Sequence, residues 1–243
     1  MKGTLLLART EIMRLRRNRR YMMTTLAIPI VFYLLIGKST KSTVDHVNFA
    51  AYYMVAMATF GSFSGALMGN AIRIATERKD GWIRQLRLTP LPPNSYVIGK
   101  LAASMAITVP SVIIVLLLGR FYGGVHLPFG EWIAIAVVVW LGAIIFTALA
   151  VAIGYRYQPD QAQPIAMLIY FVFLILGGIF FPLGGVLQNV ASWTPTGEAI
   201  KIATDVVNPV GTVSAWLVVG MVLWLGFFSA LAWASVRATA ETV

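Results

Sequence analysis

Six stretches of the chain carry no Asp, Glu, Lys or Arg: residues 22–37, 49–72, 101–119, 132–154, 164–181 and 212–234. About 20 residues of helix, at about 1.5 Å rise each, cross a hydrocarbon core of about 30 Å. Four stretches meet that length. The other two, 22–37 and 164–181, are short and hold Pro29 and Pro164, so they are expected to begin inside their polar flanks, to cross a thinned region, or to be locally broken. Strands of an outer-membrane barrel would instead alternate over about ten residues. The pattern predicts an all-α polytopic membrane protein, a single transmembrane domain over 1–243 with six transmembrane helices.

Composition agrees with this pattern. The chain is 58% hydrophobic and 12% charged with a mean hydropathy of +0.79, more apolar than a soluble domain can bury. Its net charge of +10 is read as cytoplasmic flanks and contacts with anionic membrane lipids, not as a nucleic-acid surface. In a six-span arrangement, 15 Lys and Arg fall on the face of the N-terminal tail and four on the other, so both termini are expected in the cytoplasm.

Cysteine is absent, which excludes disulfides, thiolate metal sites and Cys nucleophiles. The two histidines, His46 and His126, lie in short polar segments outside the predicted spans, and no metal site is expected. Residues 1–21 place Leu5, Ala8, Ile12 and Leu15 at helical spacing among arginines. That suits an amphipathic helix on the cytoplasmic interface, with a plain basic topology anchor as the alternative. The following apolar run lacks a small-x-small cleavage pattern and reads as a retained span.

Little in the sequence points to catalysis. LLIGKST, at 34–40, ends like a phosphate-binding loop, but Phe32 stands where the earlier glycine is needed and the stretch closes a membrane span. No ionisable group falls inside a predicted span, which argues against proton-coupled pumps and intramembrane proteases. Thr24, Thr25, Ser62, Ser64, Asn70, Thr108, Ser111 and Tyr170 could line a pathway for an apolar or amphipathic cargo, or could serve helix packing. Gly61, Gly65 and Gly69 recur every four residues and offer a flat stripe for close helix approach.

Two polar segments have internal order. Residues 182–211 hold Val186, Leu187, Val190 and Trp193 at helical spacing, then Pro195 and a second helical stretch over 197–207. Neither piece is long enough to cross, so short re-entrant helices on the outer face are expected, or else a surface loop with a buried tryptophan. Residues 73–99 predict an extension of the second span, then a short helix capped by Asp80 and stopped at Thr89-Pro90. Trp82, Ile83 and Leu86 are expected to share one face of that helix, with Arg84 and Arg87 elsewhere and Tyr96 and Lys100 anchoring the next span at the interface.

The run Glu77-Arg78, Gly81, Leu86-Arg87, Thr89-Pro90-Leu91, Tyr96 and Gly99-Lys100 resembles the signature after the second span of ABC-2 type transporter permeases. The basic N-terminus, six spans and proline-containing segment before the last span match that architecture across nearly the whole length. The resemblance implies a permease without its own ATPase site, in the plasma (inner) membrane of a prokaryotic cell. It implies a second permease copy or paralogue, and two ABC ATPase subunits that bind ATP and Mg. It also implies that Asp80 to Leu88 form a coupling helix in an ATPase groove, with Trp82, Ile83 and Leu86 as apolar anchors, Arg84 and Arg87 facing acidic groups, and Glu77 and Arg78 at the membrane boundary.

The outcome expected is an ATP-driven exporter of a hydrophobic or amphipathic small molecule, lipid or peptide-like compound. The alternatives are a permease for a lipid-linked polymer and a non-transporting assembly or sensor partner.

Overall fold

A computed structural model of the chain describes residues 2–17, 19–40, 42–44, 46–89, 92, 95–180, 182–208 and 211–241. In chain order the elements are α1 (Lys2–Arg17), α2 (Arg19–Ile36), a two-stranded hairpin of β1 (Thr43–Val44) and β2 (Val47–Asn48), α3 (Phe49–Lys79), and α4 (Trp82–Arg87). These are followed by α5 (Ser95–Phe121), α6 (Phe129–Arg156), α7 (Pro159–Leu176), α8 (Val186–Ala191), α9 (Pro195–Val207) and α10 (Ala215–Glu241). The strands pair antiparallel, Thr43 opposite Asn48 and Val44 opposite Val47. Among the described residues five helices, α3, α5, α6, α7 and α10, are long and apolar enough to cross a membrane. The apolar part of α2, Thr25–Ile36, covers about 18 Å at 1.5 Å per residue.

Helix α3 is the axis of the bundle. Asn48 starts it by accepting from the Ala50 amide at 2.8 Å, and the helix continues well past the apolar stretch, as the 73–79 extension predicts. Tyr53, Met54, Phe63, Leu67 and Ile74 along it are fully buried. Close approach is needed at Gly61, where a Cβ would stand 2.1 Å from Ser111 Oγ on α5 and 3.0 Å from Pro29 Cγ on α2. Gly65 and Gly69 are buried on the same helix. The aromatic layer Phe60, Tyr170, Phe146, Phe173 and Phe228 ties α3, α7, α6 and α10 together through ring contacts.

The two short runs begin inside their polar flanks, one of the expected alternatives: α2 at Arg19 and α7 at Pro159, the latter closing at Gly177, before 181. Both α2 and α7 run through their internal prolines without a break. The GKST stretch is a helix end: the Gly37 amide bonds Tyr33 O and Ser39 Oγ bonds Ile36 O, so no phosphate loop forms. Over 182–211 both short helices form. Pro195 opens α9, and Thr194 Oγ1 accepts from the Gly197 amide at 3.1 Å.

Candidate functional site

At the end of the bundle that carries α1 and α4, three helices each contribute a pair of polar side chains at one-turn spacing. The last two turns of α3 supply Arg73 and Glu77, α1 supplies Glu11 and Arg14, and α5 supplies Tyr96 and Lys100. Lys100 Nζ donates to Glu11 Oε2 and to Glu77 Oε1, both at 2.8 Å. Arg73 Nη2 donates to Glu11 Oε2 at 2.5 Å, and Tyr96 OH donates to Glu77 Oε2 at 2.7 Å. Arg14 stands 3.4 Å from Glu11 and 3.6 Å from Glu77.

The hub is buried: Lys100 is 0% and Glu11 3% exposed. Three cations face two carboxylates, and each acid lies within 4 Å of all three. Burial opposes ionisation of Glu11, but Lys100, Arg73 and Arg14 outweigh it and hold its carboxyl below the ordinary carboxylate value. Charges at this depth persist only when paired and bonded, which is why the helices can take them in. The sequence expects Lys100 and Tyr96 to anchor this span at the interface; the helix begins at Ser95 and turns both into the hub.

Arg78, one residue beyond Glu77, reaches the opposite way. Its guanidinium donates to Tyr155 O through Nη1 and to Tyr157 O through Nη2, the latter at 2.7 Å. These carbonyls belong to the end of α6, where helical acceptors lose their partners and the dipole favours a cation. One arginine thus fixes the end of α6 to the end of α3.

The turn into α4 corrects the capping expectation. Asp80 closes α3, its amide bonded to Thr76 O at 2.8 Å, and its side chain caps nothing. Gly81 stands before α4 at φ 75°, a left-handed conformation that costs other residues about 1–2 kcal/mol. The helix ends at Arg87, before Thr89-Pro90, and Thr89 Oγ1 donates back to Leu86 O.

The three expected anchors of α4 do not share an outward face. Ile83 is buried and Leu86 half-buried, packed with Ile74, Tyr96, Val151, Tyr155 and Ala232 of the bundle. Trp82 is 37% exposed, with the Arg14 guanidinium 6.0 Å from its ring centre, and Arg84, Gln85 and Leu88 are exposed. The Arg87 side chain, Pro90 and Leu91 lie outside the described residues.

Four of the polar groups expected to line a pathway are hydrogen-bonded within the bundle. Ser64, Asn70 and Thr108 bond to carbonyls of their own helices, and Tyr170 OH donates to Phe60 O at 2.6 Å. Ser62 and Ser111 are buried with their hydroxyl oxygens unpaired, and Thr25 is half-buried on α2. The Thr24 side chain lies outside the described residues. None of the described seven lines either of two cavities found among the described residues. One cavity, of about 250 Å³, opens beside α8 and α9. The other, of about 700 Å³, lies among α1, α4, α5, α6 and α10.

Two functional candidates escaped the sequence reading. Glu11 is the only acid before Asp45, on an otherwise basic helix and flanked by Ala8 and Ile12, and that isolation on an apolar face was a usable signal. Glu198, in the first turn of α9, is 1% exposed with Oε2 unpaired, and burial pushes its carboxyl up to about 7. It packs on α10, where a Cβ at Gly220 would stand 1.9 Å from Glu198 Oε1.

Comparison with known proteins bears on this arrangement. Residues 38–234 match the family model described as ABC-2 family transporter protein. The chain belongs to the ABC-2 transporter family. The Bacillus subtilis (strain 168) protein named "Putative transport permease YvfS" is similar to it, 28% identical over 190 residues, 76% of this chain and 78% of the relative. The chain is thus a multi-pass membrane protein of a transport permease family. Membership of the ABC-2 family implies an ABC transporter with an ATPase partner.

Proposed function

We propose that this ABC-2 permease is the membrane subunit of an ATP-driven exporter that moves a hydrophobic or amphipathic small molecule, lipid or peptide-like compound outward. Two separate ATPase subunits bind ATP and Mg, and a second permease copy completes the complex. Both termini, α1 and α4 face the cytoplasm, and α2 crosses as a sixth span in the inner membrane. The excess of 15 basic residues over four supports that orientation. Helices α8 and α9 sit in the outer leaflet, since neither is long enough to cross.

The observation that carries this reading is the wiring of α4 to the bundle. Ile83 and Leu86 seat α4 on α3, α5, α6 and α10, while the hub ties α3 and α5 to α1 and Arg78 ties α3 to α6. A push on the exposed face of α4, Trp82, Arg84 and Gln85, therefore reaches the spans as a rigid displacement. Trp82 is the apolar contact to the ATPase, and Arg84 meets an acidic group there.

The test pairs the chain with its partner ATPase and follows ATP-driven uptake of an amphipathic dye into inside-out vesicles. W82A with R84A is expected to leave the chain folded and abolish uptake; unchanged uptake would overturn the coupling role. A cysteine at Ser42 or Asn189 is expected to label from outside and one at Gln85 only after permeabilisation. The reverse would overturn the orientation.

A further inference from the structure

The cavity of about 700 Å³ is an open groove between the ends of α5, α6 and α10, lined also by Leu7 of α1 and by Ile83 and Leu86 of α4. Its volume lies within the range of about 300–1,000 Å³ that encloses small amphiphiles. Leu101, Val151 and Trp233 make its wall apolar. Along α10 it runs from Ser229 to Arg237, about 12 Å at 1.5 Å per residue, close to the roughly 15 Å depth of one bilayer leaflet.

The two ends of this groove differ. The deep end, at Leu101, Ala148 and Ser229, carries no charge. At the outer end Arg237 lies over the Trp233 ring at 4.7 Å, and it is the one formally charged residue among the described residues of the wall. Apolar along one leaflet and cationic at headgroup depth, the groove is complementary to an anionic amphiphile.

We propose that this groove binds one acyl chain of an anionic phospholipid from the leaflet that faces α4, with the lipid phosphate at Arg237. The chain lies against Ile83 and Leu86, which line the same groove, so the lipid packs under α4 and holds it to α5, α6 and α10. Lipid binding is thereby built into the seat of the coupling helix. Only the assignment to the cytoplasmic leaflet rests on the orientation proposed above. Binding itself does not, and the cysteine labelling separates the two.

The test uses the full chain in detergent micelles and native mass spectrometry with added phosphatidylglycerol or phosphatidylcholine of identical tails. The chain is expected to retain phosphatidylglycerol about fivefold better, the worth of one cation near an anionic surface. R237A is expected to remove that preference while keeping tail binding. S229W, which fills the groove from α10, and A148W, which fills it from α6, are each expected to remove retention. Phosphatidylglycerol with a photoreactive tail is expected to mark peptides within 95–101, 148–155 and 229–237.

Equal retention of the two lipids by the wild type would overturn the proposal, as would full retention in both filled variants or tail adducts confined to other segments. Co-purification of a different amphiphile that phosphatidylglycerol fails to displace would assign the groove to cargo and equally overturn it.

Discussion

Lys100 on α5 donates to Glu11, 89 residues before it on α1, at 2.8 Å, with its ammonium wholly out of solvent. This bond joins α1 to α5, and Glu77 brings α3 to the same ammonium. K100M leaves two carboxylates buried with less compensation and is expected to cost about 3–5 kcal/mol of stability, read from unfolding in detergent. In the double variant E11Q/K100M the loss is expected to fall short of the sum, with a coupling of about 1–3 kcal/mol. Full additivity would contradict the pairing.

The same hub sets an acid limit. Glu11 is held below its ordinary value of 4.5, so its stabilisation is complete above that pH and is lost as pH falls through the lower folded value. Melting temperature is expected to drop below pH 4.5 in the wild type and less steeply in E11Q.

Glu198 carries the opposite sign. Its folded value, about 7, lies above 4.5, so α9 packs best when the carboxyl is protonated and loses stability as pH rises from 4.5 through 7. The loss is bounded at about 3 kcal/mol. E198Q is expected to be less stable than or equal to wild type at pH 5 and more stable at pH 8. A pH-independent difference would show that the carboxyl does not titrate there.

Arg78 answers two carbonyls at the end of α6. R78A is expected to cost about 1–3 kcal/mol and to speed hydrogen exchange around residues 153–157. R78K is expected to recover little, because a single ammonium cannot span two acceptors as a planar guanidinium does. Full recovery would mean that charge alone suffices.

At Gly81 the left-handed turn sets the angle between α3 and α4. G81A is expected to cost about 1 kcal/mol and to reduce the ATPase activity of the assembled complex, because α4 leaves its seat. A variant with native stability and activity would show that the turn tolerates other conformations.

Much of this architecture was legible because apolar runs report bilayer crossing directly, and α3, α5, α6, α7 and α10 all lie where those runs predict. The ends of helices were less legible. The extension of α3 through Arg73 and Glu77 is expected from the sequence, but not that these groups and Lys100 meet opposite charges from distant helices. Local spacing cannot reveal a partner 89 residues away. The face of α4 was misjudged for a related reason: periodicity groups Trp82, Ile83 and Leu86, but only the packed bundle decides which of them it buries. Asp80 failed as a cap because Gly81, able to adopt positive φ, lets the chain close α3 and open α4 within two residues.

The central claim is that the exposed face of α4 is where an ATPase pushes. A photoreactive amino acid placed at Trp82, Arg84 or Ile83, in membranes holding the chain and its ATPase, tests this most directly. Adducts to the ATPase are expected from positions 82 and 84, while position 83 marks only this chain, at residues of α3, α5, α6 or α10. ATPase adducts from 83 alone, or from none of the three positions when the complex still assembles, would contradict it.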